Sequence, residues 1–279
     1  GWAYTASYLG RFLDEAGTPA PEPIEENVHG GYVALIEILG TRTAELHRAL
    51  ARPSGDPAFD PEAATADDYA RWIAHVRDQA IATLDQLESR AGSLPEPLTG
   101  EAHALLAARE TVLAAIARCP LPAERTLKTR HHGDYHLGQT LLSRNDFVII
   151  DFEGEPGRTL AERRLKNSPL RDVAGMLRSF SYARAAAVQR LVTSGGIIER
   201  QRALASDWER QTREAFLAAY DAAARDSGLY ASFGDVEGLL RLFELEKALY
   251  ELRYEMNNRP DWVGVPLRGV ARLVRPAAS

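Results

Sequence analysis

A single cysteine, Cys119, stands in a chain of 279 residues. That scarcity excludes an intrachain disulfide framework and a zinc site built on cysteines, and it fits a reducing cytoplasm. No apolar run reaches the roughly 18 residues of a membrane span, and no secretory signal opens the chain. Lysine is also scarce. Lys128, Lys166 and Lys247 stand against thirty arginines, a skew that, with abundant alanine, reports a GC-rich genome rather than a function. The formal net charge of −6 argues against a broad nucleic-acid-binding face. Repeats, low-complexity tracts and a His-Glu-x-x-His motif are all missing. So is a glycine-rich strand-turn-strand near the start. Gly1-Trp2-Ala3-Tyr4 lacks an initiator methionine, so the chain is expected to begin inside a longer parent.

What is present is mostly helical periodicity. Residues 2–16 place Tyr4, Tyr8, Leu9 and Phe12 on one side of a short helix, and a proline-rich break follows over Thr18–Pro23. Spacings of three and four predict helices over 32–50, 66–90 and 101–118, the last closed by Pro120 and Pro122. The texture changes near Thr129. Thr140–Ser143 and Phe147–Ile150 are short apolar runs around Arg144-Asn145-Asp146 and predict a small hairpin with a buried second strand. Helical patterns return over 172–187, 201–225 and 235–257, and the tail after Trp262 has room for one more short helix.

The chemistry concentrates in His132-Gly133-Asp134-Tyr135-His136-Leu137-Gly138-Gln139 and in Asp151-Phe152-Glu153. A carboxylate in a glycine-flanked turn, a carboxamide five residues on and a second carboxylate twelve further on are the ordered parts for moving a phosphoryl group from ATP to a hydroxyl. In that reading Asp134 takes the hydroxyl proton, and Gln139 and Asp151 offer oxygens to Mg2+. Each residue also has a plainer reading: Asp134 as an Asx-turn residue, Gln139 as a polar strand opener, Asp151 as one half of an ion pair with an arginine. His132 and His136 lie four apart, as in a helical zinc pair, but Gly133 and Gly138 make a helix improbable there. His132 is read as bracing the loop, and His136, two after the base, as able to reach phosphate or acceptor. Asp172 opens a helix either as its N-cap or as a carboxylate bracing the catalytic turn. Lys247, Tyr250 and Tyr254 share one helical face, which suits either a polyhydroxylated ligand or packing on neighbours.

These runs, with Asp151–Pro156 and Leu165–Phe180, resemble those of bacterial maltokinases, and Trp2–Phe12 and Leu39–Leu50 do so more weakly. The resemblance implies synthesis of maltose 1-phosphate from maltose and ATP, with trehalose synthase as a fused or bound partner. It implies Asp134 as catalytic base assisted by His136, Gln139 and Asp151 as magnesium ligands, and Lys247, Tyr250 and Tyr254 as maltose-binding residues. The implied fold is α+β and predominantly α-helical: the C-terminal lobe of a protein-kinase-like, aminoglycoside-phosphotransferase-like fold, with a small β-hairpin carrying the catalytic loop. Residues 1–279 would then be the catalytic and acceptor-binding lobe. An N-terminal ATP-covering lobe would be supplied in cis by the parent, since no lysine here precedes the catalytic loop in a strand. A kinase for another acceptor (an aminoglycoside, choline or an amino alcohol) and a non-catalytic module for trehalose synthase are the alternatives.

Overall fold

The structure is a computed structural model that describes residues 1–17, 29–195 and 198–274. Its elements run α1 (Trp2–Ala16), α2 (Gly30–Leu50), β1 (Glu62–Ala63), α3 (Ala66–Arg90), α4 (Glu96–Ala107), α5 (Arg109–Ala117), β2 (Leu127–Lys128), β3 (Thr140–Ser143), β4 (Asp146–Ile149), α6 (Leu160–Arg163), α7 (Leu170–Ser194), α8 (Glu199–Ala224), α9 (Phe233–Asn258) and α10 (Gly264–Leu273). Two compact units emerge: Gly1–Pro61 with Thr129–Leu229, and Glu62–Lys128 with Tyr230–Ser279. No described helix is long and apolar enough to cross a membrane. The proline-rich break at Thr18–Pro23 and the last five residues of the tail lie outside the described residues.

In the first unit α2 packs along α8, and α7 packs against α8 and α1. Tyr32, Ile36 and Leu39 from α2, Phe180 from α7, and Trp208, Phe216 and Tyr220 from α8 are all fully buried. Aromatic rings dominate this core, with Phe180 edge-on to Phe216 and Tyr32 against Trp208. The expected helix 172–187 starts at Leu170 and continues to Ser194, because no breaker intervenes before Gly195. Its first dozen residues are buried nearly all round, Asp172, Arg178, Ser179 and Ser181 included. That is the behaviour of a helix that other elements wrap.

β3 and β4 form the expected antiparallel hairpin, with Thr140 opposite Ile149 and Ser143 opposite Asp146. Arg144 and Asn145 turn the chain with φ of 52° and 60°, the left-handed pair that matches the twist of a two-residue hairpin. The second strand is not buried throughout as expected. Phe147 is 7% exposed, whereas Val148 and its cross-strand partner Leu141 are 52% and 51% exposed. A two-stranded ribbon has one packed face, and alternate residues must face away from it. Arg42 on α2 anchors the ribbon by a bidentate pair to Asp146, at 2.9 and 2.8 Å.

The second unit has its own core of α3 on α9, flanked by α10, α4 and α5. Val76, Leu84, Val112, Ile116, Leu239 and Leu249 are buried there. The expected single helix 101–118 is two helices, α4 and α5, broken at Ala108, so that α4 lies against α10 while α5 lies against α3. Lys128, expected outside any strand, ends the two-residue strand β2, which pairs with β1. Its ammonium is held 3.0 Å from Asp68, the residue that also closes the capping box of α3.

Candidate active site

The turn that carries Asp134 is built on Gly133, whose φ of +84° is strained for any residue with a side chain. His132 organises the turn. Its Nδ1 accepts the Asp134 N–H at 3.3 Å, which leaves the ring proton on Nε2 to be donated to the Ile150 carbonyl at 2.8 Å. One imidazole thus links the proposed base to the residue just before Asp151. The Phe152 ring lies 5.0 Å from that of His132. The bracing expected of His132 is what the structure shows, and with both ring nitrogens engaged in this way it is no zinc ligand.

His136 Nδ1 accepts the Gly138 N–H at 3.0 Å, which places its proton on Nε2, 3.9 Å from Asp134 Oδ2. A donor therefore stands beside the carboxylate. The Asp134 side chain is 20% exposed, neither packed away nor fully in solvent.

Gln139 and Asp151 come together, the carboxamide nitrogen donating to Asp151 Oδ2 at 2.8 Å. Asp151 has φ of +65°, a left-handed conformation that aspartate tolerates better than branched residues do. It is exposed rather than buried, and among the described residues its side-chain partner is Gln139 and not an arginine. Rotating the Gln139 carboxamide about its last bond presents a neutral oxygen next to the carboxylate. That donor set, one carboxylate and one carbonyl oxygen open to solvent, fits magnesium, which takes few protein ligands and fills the rest with water and phosphate. Among the described residues, no group of three or more His, Cys, Asp or Glu side chains could hold a metal ion.

The turn is held from below by one face of α7. Pro169 occupies the cap position, so Asp172 is no N-cap and lies inside the helix. Its two carboxylate oxygens accept the backbone N–H groups of His132, at 2.7 Å, and Gly133, at 3.0 Å. Three residues on, Gly175 lets the helix touch the Tyr135 carbonyl; a Cβ there would sit 2.5 Å from that oxygen. Four further on, Ser179 Oγ accepts the Leu137 N–H at 3.0 Å. Positions i, i+3 and i+7 lie on one helical face, so residues 172, 175 and 179 form a continuous cradle. Behind it, His47 of α2 donates from Nε2 to Asp172 at 3.1 Å and accepts from the Tyr220 hydroxyl at 2.9 Å. The sequence gives no sign of His47 or Tyr220, while the cradle was present in it only as an uninterpreted spacing.

Burial alone would raise the Asp172 pKa. The hydrogen bond from His47, the neighbouring His131 and the Gly133 N–H outweigh it and hold this carboxyl well below the usual range. His131 moves the other way. Burial, reinforced by Arg171 and opposed by Asp172, pushes its imidazole down to about 4. The unfolded chain therefore binds a proton at this residue from pH ~6.5 downward while the folded chain resists it until about 4, so stability falls as pH drops through that window. Replacing His131 by Asn is expected to make this fall shallower. Urea midpoints at pH 7 and pH 5 measure it, and equal slopes for variant and wild type would remove His131 from the account.

Lys247, Tyr250 and Tyr254 lie on α9 in the second unit. They share a face, as the spacing predicted: Lys247 Nζ sits 4.9 Å over the Tyr250 ring, which stacks on Tyr254 at 6.5 Å. The Arg259 guanidinium lies 5.5 Å over the Tyr254 ring. Both tyrosines keep an exposed edge, 37% and 45%.

No protein-family model matches the chain. It is 31% identical over 290 residues to a glucosamine kinase of Mycolicibacterium smegmatis, covering all of this chain and 61% of that protein. To a glucosamine kinase of Streptacidiphilus jiangxiensis it is 28% identical over 231 residues, covering 82% and 46%. A solved glucosamine kinase in complex with glucosamine, ADP and inorganic phosphate superimposes with a TM-score of 0.74 at 23% identity, over 99% of this chain and 57% of that one. A second crystal form gives 0.72 at 22% identity, over 98% and 58%. The chain therefore has the predominantly helical fold of the matching part of these enzymes and spans about three-fifths or less of their length. The maltokinase resemblance is corrected: the relatives are glucosamine kinases. The reason lies in the cradle. The run Leu165–Phe180, which carried part of the resemblance, includes the residues that hold the Asp134 turn, so it reports on the turn and not on the acceptor. With that resemblance go maltose, the trehalose synthase fusion or complex, and the argument it supplied for an N-terminal lobe in cis.

Proposed function

We propose that the protein carrying this chain transfers the γ-phosphoryl group of ATP to a hydroxyl of an amino sugar, glucosamine being the acceptor named by its relatives. The observation that carries the reading is the juxtaposition in the first unit. Asp134 stands in a turn clamped by α7, and one histidine, His132, ties that turn to the Gln139–Asp151 pair. Asp134 accepts the acceptor's hydroxyl proton while the oxygen forms its bond to the γ-phosphorus. The bond from that phosphorus to the bridging oxygen breaks, and ADP leaves. His136 Nε2–H donates toward the reacting groups. Gln139 and Asp151 would hold magnesium, which when bound neutralises charge on the phosphates. Positioning supplies most of the acceleration in such reactions, and a turn anchored by three α7 residues provides it. Residues 1–279 contribute the catalytic and acceptor-binding machinery in this reading, and Lys247, Tyr250 and Tyr254 contribute sugar contacts.

The test is ADP release from Mg-ATP with glucosamine, glucose, maltose and choline as acceptors. Glucosamine is expected to exceed glucose by about 10⁴-fold in kcat/KM, the discrimination typical of a site that pairs a polar substrate group and is left unpaired without it. Choline turning over best would move the assignment to amino-alcohol kinases. Absence of ADP release with every acceptor would remove it. In the same assay Tyr254→Ala is expected to raise KM for glucosamine with kcat preserved, and an unchanged KM takes the tyrosine face out of the acceptor contacts.

A further inference from the structure

Within the first unit, α2 presents a second row of supports for the Asp134 turn. Gly40, Thr43 and His47 stand at i, i+3 and i+7, so they share one helical face. Gly40 lets α2 touch α8: a Cβ there would sit 2.5 Å from the Phe216 carbonyl. That approach brings the fully buried His47 to the fully buried Tyr220. The Tyr220 ring lies edge-on to the imidazole at 5.6 Å and stacks on Phe216 at 6.5 Å. Thr43 donates its hydroxyl proton to the Leu39 carbonyl at 2.8 Å, so the Tyr135 hydroxyl donates to Thr43, at 2.9 Å. Tyr135 follows Asp134 directly in the chain. With Tyr220 donating to Nδ1 at 2.9 Å, the His47 ring proton sits on Nε2 and points at Asp172 Oδ2, 3.1 Å away. The same oxygen accepts the His132 N–H at 2.7 Å. An apolar set of equal volume would fill this space without desolvating hydroxyls and an imidazole. A satisfied polar network instead fixes one arrangement of the groups it touches.

We propose that His47 is a positioning residue of the phosphotransfer site, fixed by Tyr220 and acting through Asp172, with Thr43 supporting Tyr135 beside it. The backbone N–H groups of His132 and Gly133 tie the turn to Asp172. A carboxylate swings about its last side-chain bond unless something else holds it, and the Nε2–H of His47 is that hold. Without it, carboxylate and turn drift together. Phosphoryl transfer is sensitive to such drift because positioning supplies most of its acceleration. His47 is buried away from the reacting atoms, so any effect on turnover must pass through the turn. The role in turnover rests on the phosphotransfer reading of Asp134; the hold on the turn is measurable without it.

Two matched variants separate the hold from mere packing. His47→Gln keeps a carboxamide nitrogen where Nε2 stands, whereas His47→Asn, one methylene shorter, reaches only the Nδ1 position. Backbone hydrogen exchange on the full 279-residue chain reads the turn directly. His47→Asn is expected to speed exchange of the His132 and Gly133 amides by about tenfold, the loss of one charge-assisted hydrogen bond, and His47→Gln to leave it near wild type. In the ADP-release assay with Mg-ATP and glucosamine, His47→Asn is expected to lower kcat by about 10–100-fold at unchanged KM, the cost of displacement by up to an ångström. His47→Gln is expected to restore most of that loss. Tyr220→Phe keeps the ring packing and removes only the hydroxyl that selects the tautomer, so it should show a smaller kcat loss with faster amide exchange. Should His47→Asn fail to fold, Tyr220→Phe compared with His47→Gln still decides. Unchanged amide exchange in His47→Asn and Tyr220→Phe, a His47→Gln variant as impaired as His47→Asn, or a lower melting temperature with unchanged kcat would each overturn the proposal. An active wild type with unaffected variants sinks this proposal alone. A wild type that releases no ADP sinks the kinase reading, while the exchange rates still decide whether His47 holds the turn.

Discussion

Asp134→Asn is expected to lower turnover with ATP and glucosamine by about 10²–10⁴-fold, the range of a positioned general base, while leaving the fold intact. The substitution keeps shape and hydrogen-bonding capacity but removes the group that accepts the proton. The turn has anchors other than that carboxylate. Its anchors are the backbone N–H groups of His132, Gly133 and Leu137 on α7, and the Asp134 N–H on His132. Thermal unfolding and ATP affinity should therefore match wild type, and kcat should carry the loss. Undiminished kcat in Asp134→Asn would falsify the role of this residue as base.

Asp172→Ala is expected to cost about 3–5 kcal/mol of stability, the usual result of removing one partner from a buried charged pair. Three donors lose their acceptor at once: the N–H groups of His132 and Gly133 and the His47 ring. The turn should lose its geometry in molecules that remain folded, so kcat per folded molecule should fall as well. A lower melting temperature with unchanged kcat would make Asp172 a residue of the fold alone. Acid makes a second signature. Because the folded pKa of Asp172 is depressed, its contribution is fully present above the ordinary aspartate value near 3.9 and is lost as pH falls below it toward the folded value. Wild type should thus weaken first through the His131 window, between about 6.5 and 4, and then through that of Asp172. The variant should lack the second stage.

Legibility differed by residue. Asp134, Gln139 and Asp151 could be picked out because a turn followed by a hairpin converts fixed sequence spacings into fixed positions in space. The main helices were readable for a similar reason: their apolar residues recur with the helical period, and the expected and observed boundaries of α2, α3, α8 and α9 agree within two residues or so. The hairpin was readable as a hairpin but not in its burial, since alternation along a ribbon does not say which face finds a partner. Asp172 looked like a helix cap because a carboxylate at a helix start is an ordinary sight. Its actual role depends on a loop almost forty residues earlier in the chain. His47 and Tyr220 were invisible, being separated by 173 positions and joined only through space.

The amino-acid order alone determined which groups can do chemistry and where the helices run, because both follow from local spacing. Only the tertiary structure decided how those groups are held: α7 had to be wrapped by its neighbours before a carboxylate, a glycine and a serine along it could become a socket for the Asp134 turn. The same long-range packing explains the error over the acceptor. A run of residues shaped by the turn it supports says little about the molecule that will meet that turn.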